Sequence, residues 1–394
     1  MESKGAPIVE RHDAQPYDIP QGPESWCAKQ GGRSELVQLY PMPEDSEGIR
    51  SFHCPPRDTA CQLPGRCEAV VDIIAIHGLG TTHASYIWKQ SSEEPEGRNW
   101  LQDPEMLPAA IPNSRIFTYE WNSGFDQNAT IEKMKDHADE LLRQLHKLRT
   151  ATDSTGPDGE SRPIVFIAAC FGGLLLLKAF SRAVAEDNRP SYSLIPLQTA
   201  GAIFMGTPFS GSHSILYETC NLRMRIGEHL GKDTSQYLVS LLKSDSPELE
   251  EIVQNFRQLN SRPEFDFPVC CVYETRDADY STSMGKVRKN LQRKMRERRG
   301  WRFGQNDRVL NKLWKELQDT MESDLSMMVV NCQSATLPEH EKLALDVKHG
   351  NLIRFPGADD SSFRKIAALV EKMAGQASEV LRRKQIQLDS EAST

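Results

Sequence analysis

Cysteines arranged for pairing are missing from this 394-residue chain. Its nine cysteines are odd in number and scattered, at positions 27, 54, 61, 67, 170, 220, 270, 271 and 332. Such a set predicts no disulfide framework, and a reducing compartment is the default. The CxxC pairs that dominate zinc sites are also lacking. Cys54, Cys61 and Cys67, near His53, follow a C-x6-C-x5-C spacing that matches no common metal pattern, so neither metal nor cofactor is expected. Long apolar runs are short in supply too. The most apolar stretch, residues 164–177, falls below the ~20 residues of a membrane span, is broken by two glycines and precedes Lys178. It reads as core. The first residues have neither the apolar centre of a signal peptide nor the acid depletion of a transit peptide, which predicts a cytoplasmic location. Excess positive charge is absent overall. A net charge of -8 and a pI near 5.8 exclude a wholesale nucleic-acid coat.

What remains is a 44.4 kDa chain with a mean hydropathy of -0.53, long enough to bury a large core yet rich in polar loops. Residues 1–33 are rich in Gly, Pro and charge and read as a loosely packed tail. A short run at 36–40 suits a first strand. From residue 70, apolar β-branched runs at 70–76, 115–119, 164–169, 201–205, 269–274 and 327–332 alternate with helical patterns. Near-continuous hydrophobicity is what strands covered on both faces show, and strand–helix alternation predicts an α/β fold with a mostly parallel sheet. Ile131, Met134, Leu141, Leu142, Leu145 and Leu148 mark one helix face. Pro247 suits the first turn of another helix, and Phe363, Ile366, Leu369, Val370 and Met373 give a C-terminal one. One domain is expected over 34–383, followed by a polar tail at 384–394.

Residues 286–302 stand apart. They hold nine Lys/Arg and one acid, Glu297, a local charge of nine minus one, or +8. Val287, Leu291 and Met295, four apart, give this basic helical insertion a narrow apolar stripe. It reads as a solvated helix or as a surface for peripheral contact with anionic lipid.

The segment I-V-F-I-A-A-C-F-G-G-L-L-L-L-K carries chemistry. A β-branched strand runs straight into a helix pattern with Cys170 at the turn. A nucleophile elbow has this layout, and its tight turn demands tiny residues two positions either side, here Ala168 and Gly172. The helix N-terminus places backbone N–H groups and a positive dipole end there, favouring a thiolate at Cys170. Strand residues 71–76 run into His77-Gly78-Leu79-Gly80, a glycine turn suited to one oxyanion N–H. Leu79 and Phe171 are the candidate oxyanion donors, with His77 a structural hydrogen-bonder. A nucleophile, acid, histidine order then points to Glu274, with Asp277 and Asp279 as runners-up, and to His349 ahead of a glycine.

These residues, with W-L-Q-D-P-E-M-L-P-A-A-I-P-N-S-R-I-F-T-Y-E-W, G-A-I-F-M-G-T-P-F-S-G-S, V-Y-E-T, Q-S-A-T-L and L-D-V-K-H, lie in one order over 70–355. In that order the sequence resembles the α/β-hydrolases of the lipase-like serine esterase family. That group includes GPI inositol-deacylase-like proteins and hydrolase domains of fungal NLR-like receptors. The resemblance implies an α/β-hydrolase fold and an acyl-transfer activity. Two departures stand out: the family's G-H-S-x-G-G is here A-A-C-F-G-G, and its T-P-H-R-G is here Thr207-Pro208-Phe209-Ser210-Gly211. No G-x-x-x-x-G-K-[ST] phosphate loop occurs; the nearest segment, from Gly227 to Asp233, is one residue short and ends in Asp. A stand-alone hydrolase is therefore expected, acting on an ester, thioester or lactone by hydrolysis or transfer to a second acceptor. The resemblance also suggests a fungal metabolite pathway. The alternative is an inactive hydrolase-fold signalling or binding protein.

Overall fold

The computed structural model describes residues 34–40, 71–81, 87–90, 97–150, 162–185, 187–299 and 308–392. The tail at 1–33 and Cys54, Cys61 and Cys67 lie outside these residues.

Seven strands form one sheet: β1 (Glu35–Tyr40), β2 (Val71–Ile76), β3 (Ser114–Glu120), β4 (Ile164–Ala169), β5 (Thr199–Met205), β6 (Val269–Arg276) and β7 (Glu341–Lys348). Their order is β1-β3-β2-β4-β5-β6-β7, with β1 antiparallel on the edge and every other pairing parallel. The helices that matter here are α1 (Met134–Thr150), α2 (Phe171–Ala183), α3 (Ser214–His229), α4 (Pro247–Asn260), α5 (Ser281–Arg299), α6 (Arg308–Glu322), α7 (Ser361–Gly375) and α8 (Ala377–Ala392). This is the α/β-hydrolase fold.

The central strands β2, β4 and β5 are buried along their whole length because both faces are covered. Successive side chains alternate between faces. Ile74, Ile76, Phe166, Ala168 and Phe204 enter a core shared with α1, α2 and α4. Ile73, Ala75, Val165, Ile167, Ile203 and Met205 enter a second core with Trp88, Trp100 and the apolar face of α7. Trp100 is fastened there by its Nε1–H, which donates to the Ile353 carbonyl at 2.9 Å. At the amino end of β2, the buried carboxylate of Asp72 takes Arg115 at 2.7 Å and Arg149 at 2.8 Å.

The chain leaves β2 for β3 on one side and leaves β4 for β5 on the other. Between these neighbours lies a topological switch point, where ligands bind beyond the carboxyl ends of open α/β sheets. Both glycine-rich turns from β2 and β4 open into that crevice.

Three expectations need correction. The run 327–332 is not a sheet strand: only Ser326–Met327 pairs, with Ala278–Asp279, in a separate two-stranded ribbon. Met327, Val329 and Val330 are apolar because they are buried in the first of the two cores, not because they join the sheet. The true last strand is β7, E-K-L-A-L-D-V-K, whose edge position leaves only Leu345 fully buried. Ile131 precedes α1 and is fully exposed. The C-terminal segment is no tail, since α8 continues to Ala392. Its Lys384 is buried, donating to the carbonyls of Pro196 at 2.8 Å and Thr199 at 2.7 Å.

Candidate active site

β4 delivers Cys170 at the switch point. The residue sits between the strand and α2 at φ 49°, ψ -122°, a left-handed conformation that a side chain adopts at a cost of ~1–3 kcal/mol. Only Asn128 shares a positive φ among the described non-glycine residues. The turn is clamped from both ends. The Cys170 N–H donates to the Met205 carbonyl at 2.9 Å, and the Cys170 carbonyl accepts from Gly173 at 3.0 Å. Glycine is obligatory two residues on: a Cβ on Gly172 would lie 2.5 Å from the Ile76 carbonyl oxygen and 2.6 Å from that of His77. The Cys170 thiol is half-buried.

The turn after β2 touches the elbow. A Cβ on Gly78 would lie 2.7 Å from the Cys170 Cβ, so glycine there permits the approach. His77 holds this turn. Its Nδ1 lies 3.0 Å from the Gly78 carbonyl, and its Nε2 accepts the Trp121 N–H at 3.3 Å. That pattern assigns the proton to Nδ1. Burial lowers the His77 pKa to about 4, so the ring is neutral and structural near pH 7. No hydrogen-bond partner of the Leu79 N–H lies among the described residues. Phe171 is buried as the first residue of α2, where backbone N–H groups have no intrahelical acceptor.

His349 follows β7 and is buried beside Glu274 of β6, with Nδ1 3.1 Å from Oε2. The other carboxylate oxygen, Oε1, accepts the Val330 N–H at 2.8 Å. Burial alone would raise the Glu274 pKa; the His349 ring and the Val330 N–H outweigh it and hold the carboxyl below its ordinary value. An ionised Glu274 keeps a proton on Nδ1 of His349, leaving the Nε2 lone pair as the base. The ring lies against Gly206: a Cβ there would be 2.7 Å from Cε1. Gly206 directly follows Met205, whose carbonyl takes the Cys170 N–H. The same stretch of backbone thus borders both the elbow and the histidine. Asp277 is exposed, and the Asp279 carboxylate accepts from Ser281, so neither runner-up replaces Glu274 beside His349.

Sequence reasoning missed the segment that fixes Glu274. Ser334 staples it to the loop after β5: the Ser210 N–H donates to Ser334 Oγ at 3.2 Å, and that hydroxyl donates to the Gly211 carbonyl. The Phe209 N–H reaches the Ser334 carbonyl at 2.9 Å, and the His213 N–H reaches that of Val329 at 3.2 Å. These are mostly backbone contacts, with only Q-S-A-T-L as an outward sign.

The cysteines differ sharply. Burial raises the pKa of Cys220 to about 12, of Cys270 to about 12 and of Cys271 to about 11. Cys332 is exposed. No group of three or more metal-ligating side chains occurs among the described residues, and no described helix is long and apolar enough to cross a membrane.

No protein-family model and no curated protein matches the sequence. Among solved structures, the chain is similar to the Bacillus licheniformis lipase BlEst2, at 13% identity and TM-score 0.42, over 79% of this chain and 95% of that one. It is also similar to a soluble variant of the Saccharomyces cerevisiae monoglyceride lipase, at 11% identity and TM-score 0.36, over 79% and 88%. A third is esterase B from Lactobacillus rhamnosis, at 9% identity and TM-score 0.38, over 83% and 81%. Likeness at this level says nothing of chemistry, which rests on the side chains themselves.

Proposed function

We propose that this chain is an acyl-transfer enzyme that opens an ester, thioester or lactone through a Cys170–His349–Glu274 triad. Its domain spans 34–383 in this reading, and α8 runs on past that boundary to Ala392. His349 Nε2 takes the Cys170 proton as the sulfur attacks the acyl carbon. The carbonyl π bond opens, and the N–H groups of Leu79 and Phe171 receive the oxyanion. As the tetrahedral intermediate collapses, His349 gives its proton to the leaving oxygen or sulfur. Water, an alcohol or an amine then takes the acyl group from Cys170, again losing its proton to His349. Glu274 orients the ring and stabilises the imidazolium without accepting its proton.

The observation that carries this reading is the positive φ of Cys170 on a strand-to-helix turn, a strained geometry that inert core cysteines do not need. The resemblance to lipase-like serine esterases extends the proposal to a fungal metabolite pathway, and the odd, scattered cysteines extend it to a reducing, cytoplasmic compartment. Its partners would be a small acyl-bearing molecule and, peripherally, an anionic membrane. The test is turnover of p-nitrophenyl esters and acyl-thioesters by the wild type and Cys170→Ala. Loss of turnover is expected. Undiminished turnover would favour the inactive binding-protein alternative.

A further inference from the structure

Helix α5 leaves the sheet at the end that holds the site. It starts five residues after β6 ends, following a strand pair whose other member, Ser326–Met327, leads directly to Val330 and its bond to Glu274. Met284 and Leu291 are fully buried, while Val287 and Met295 pack half-buried against the same core. The apolar stripe is thus spent on fastening the helix to the body. Its outward face is cationic: Lys286, Lys289, Arg293 and Arg296 recur at helical spacing opposite Leu291, and all are exposed. Arg288 and Lys294 flank them, also exposed. Residues 281–296 contain no acid. At ~1.5 Å per residue the ridge is about 15 Å long.

Helix α6 packs beside α5 and extends the patch. Its first turns expose Arg308, Lys312 and Lys315, and between the first two lies Val309, a rare exposed large apolar side chain at 56%. The acids of α6 begin only at Glu316, which pairs with Arg225 at 2.7 Å. A chain with net charge -8 therefore concentrates cations on one helix pair at the site end of the sheet.

We infer that the outer ridge of α5, with the first turns of α6, docks the protein on an anionic bilayer surface. Cations meet acidic headgroups, and Val309 enters the interface beside them. Docking brings the carboxyl end of the sheet toward the bilayer, so the substrate class is an acyl ester held in or at a membrane. The inference rests on the acyl-transfer reading only for that last step; binding to lipid stands independently.

Each cation at such a surface contributes about 1 kcal/mol, or roughly fivefold in binding. The test is co-sedimentation of the full chain with vesicles of phosphatidylcholine alone and of phosphatidylcholine with phosphatidylserine. Binding only to the anionic vesicles is expected, weakening steeply with added salt as the Debye length falls below ~10 Å. The triple variant K289E/R293E/R296E should lose roughly a hundredfold or more in binding while its turnover of a soluble p-nitrophenyl ester is unchanged. V309S should lose a few fold. Equal binding to both vesicles, no binding to either, or binding that survives the triple variant overturns the inference. Vesicle binding with undiminished turnover in Cys170→Ala would instead sink the acyl-transfer reading and leave the docking surface standing.

Discussion

The two halves of the candidate site are built from different material. The elbow half, β4–Cys170–α2, lies in the centre of the sheet, and every residue of β4 is buried. The acid–histidine half stands at the far edge. There Glu274 and His349 come from β6 and β7, and most of β7 faces solvent. Steric demand defines the first half, through glycines that no other residue can replace. Hydrogen bonding defines the second, through carboxylate, imidazole and backbone N–H. Substitutions at the elbow glycines should therefore cost stability, and substitutions at the edge pair should cost mainly activity.

The largest effects should fall on turnover. Cys170→Ala and His349→Ala should each lower kcat by about 10⁴ or more, and the double variant little further, since residues acting as one unit are not additive. Glu274→Gln should lose roughly tenfold to a hundredfold less than either. Steady-state kinetics on one thioester checks the ranking, and an intact Glu274→Gln rate would break the pairing of the two halves.

Next comes Gly172→Ala. Its Cβ would meet backbone oxygens that cannot step aside. Overpacking of this kind costs ~1–3 kcal/mol or more. Thermal melting should show a clear drop in Tm at every pH, whereas the Tm loss of Glu274→Gln should appear above about pH 4.3, where the ionised carboxylate stabilises the fold, and fade as pH falls below it.

Ser334→Ala sharpens the comparison from the edge side. Losing the staple loosens Val330, so Glu274 should be held less far below its ordinary value. A lowered folded pKa gives stability that is present above the unfolded value, near 4.3, and is lost as pH falls through the folded one. The acid limb of the rate profile should therefore move to higher pH in Ser334→Ala, with a kcat loss of about tenfold. Ser334→Thr should restore most of it.

A separate effect, on the pH dependence of stability alone, lies outside both halves. Burial lowers the Lys384 pKa to about 7, which disfavours its charged form in the fold. Between pH 7 and about 10.4 the unfolded chain binds more protons, so this residue's contribution to stability rises with pH across that window. The difference in Tm between the wild type and Lys384→Met should grow in favour of the wild type from pH 7 to 10.

Legibility in the sequence followed the same division. β2, β4, β5 and β6 announced themselves as apolar runs because both faces are covered. β7 did not, because an edge strand with one buried leucine looks like a loop. The run 327–332 was misleading for the opposite reason: its apolar residues signal burial, and burial is not pairing. The place of Cys170 on a strand-to-helix turn was readable from its small neighbours, and that of His349 in a turn was readable from the glycine behind it. Val330 was unreadable, because it contributes a backbone N–H and any residue but proline has one. Lys384 looked like tail because a lysine rarely lies buried; its place depends on two carbonyls nearly two hundred residues away.

The central claim is that Cys170 is the reacting atom's residue, and thiol labelling tests it most directly. Exposure alone would make Cys332 react before Cys170, since Cys332 is open to solvent and Cys170 is half-buried. An activated thiolate reverses that order. Limited iodoacetamide treatment, read by mass spectrometry alongside turnover, should modify Cys170 ahead of Cys332 and ahead of buried Cys220, Cys270 and Cys271, with activity lost in step. Modification of Cys332 first, with Cys170 untouched and turnover surviving its replacement by alanine, would contradict the account.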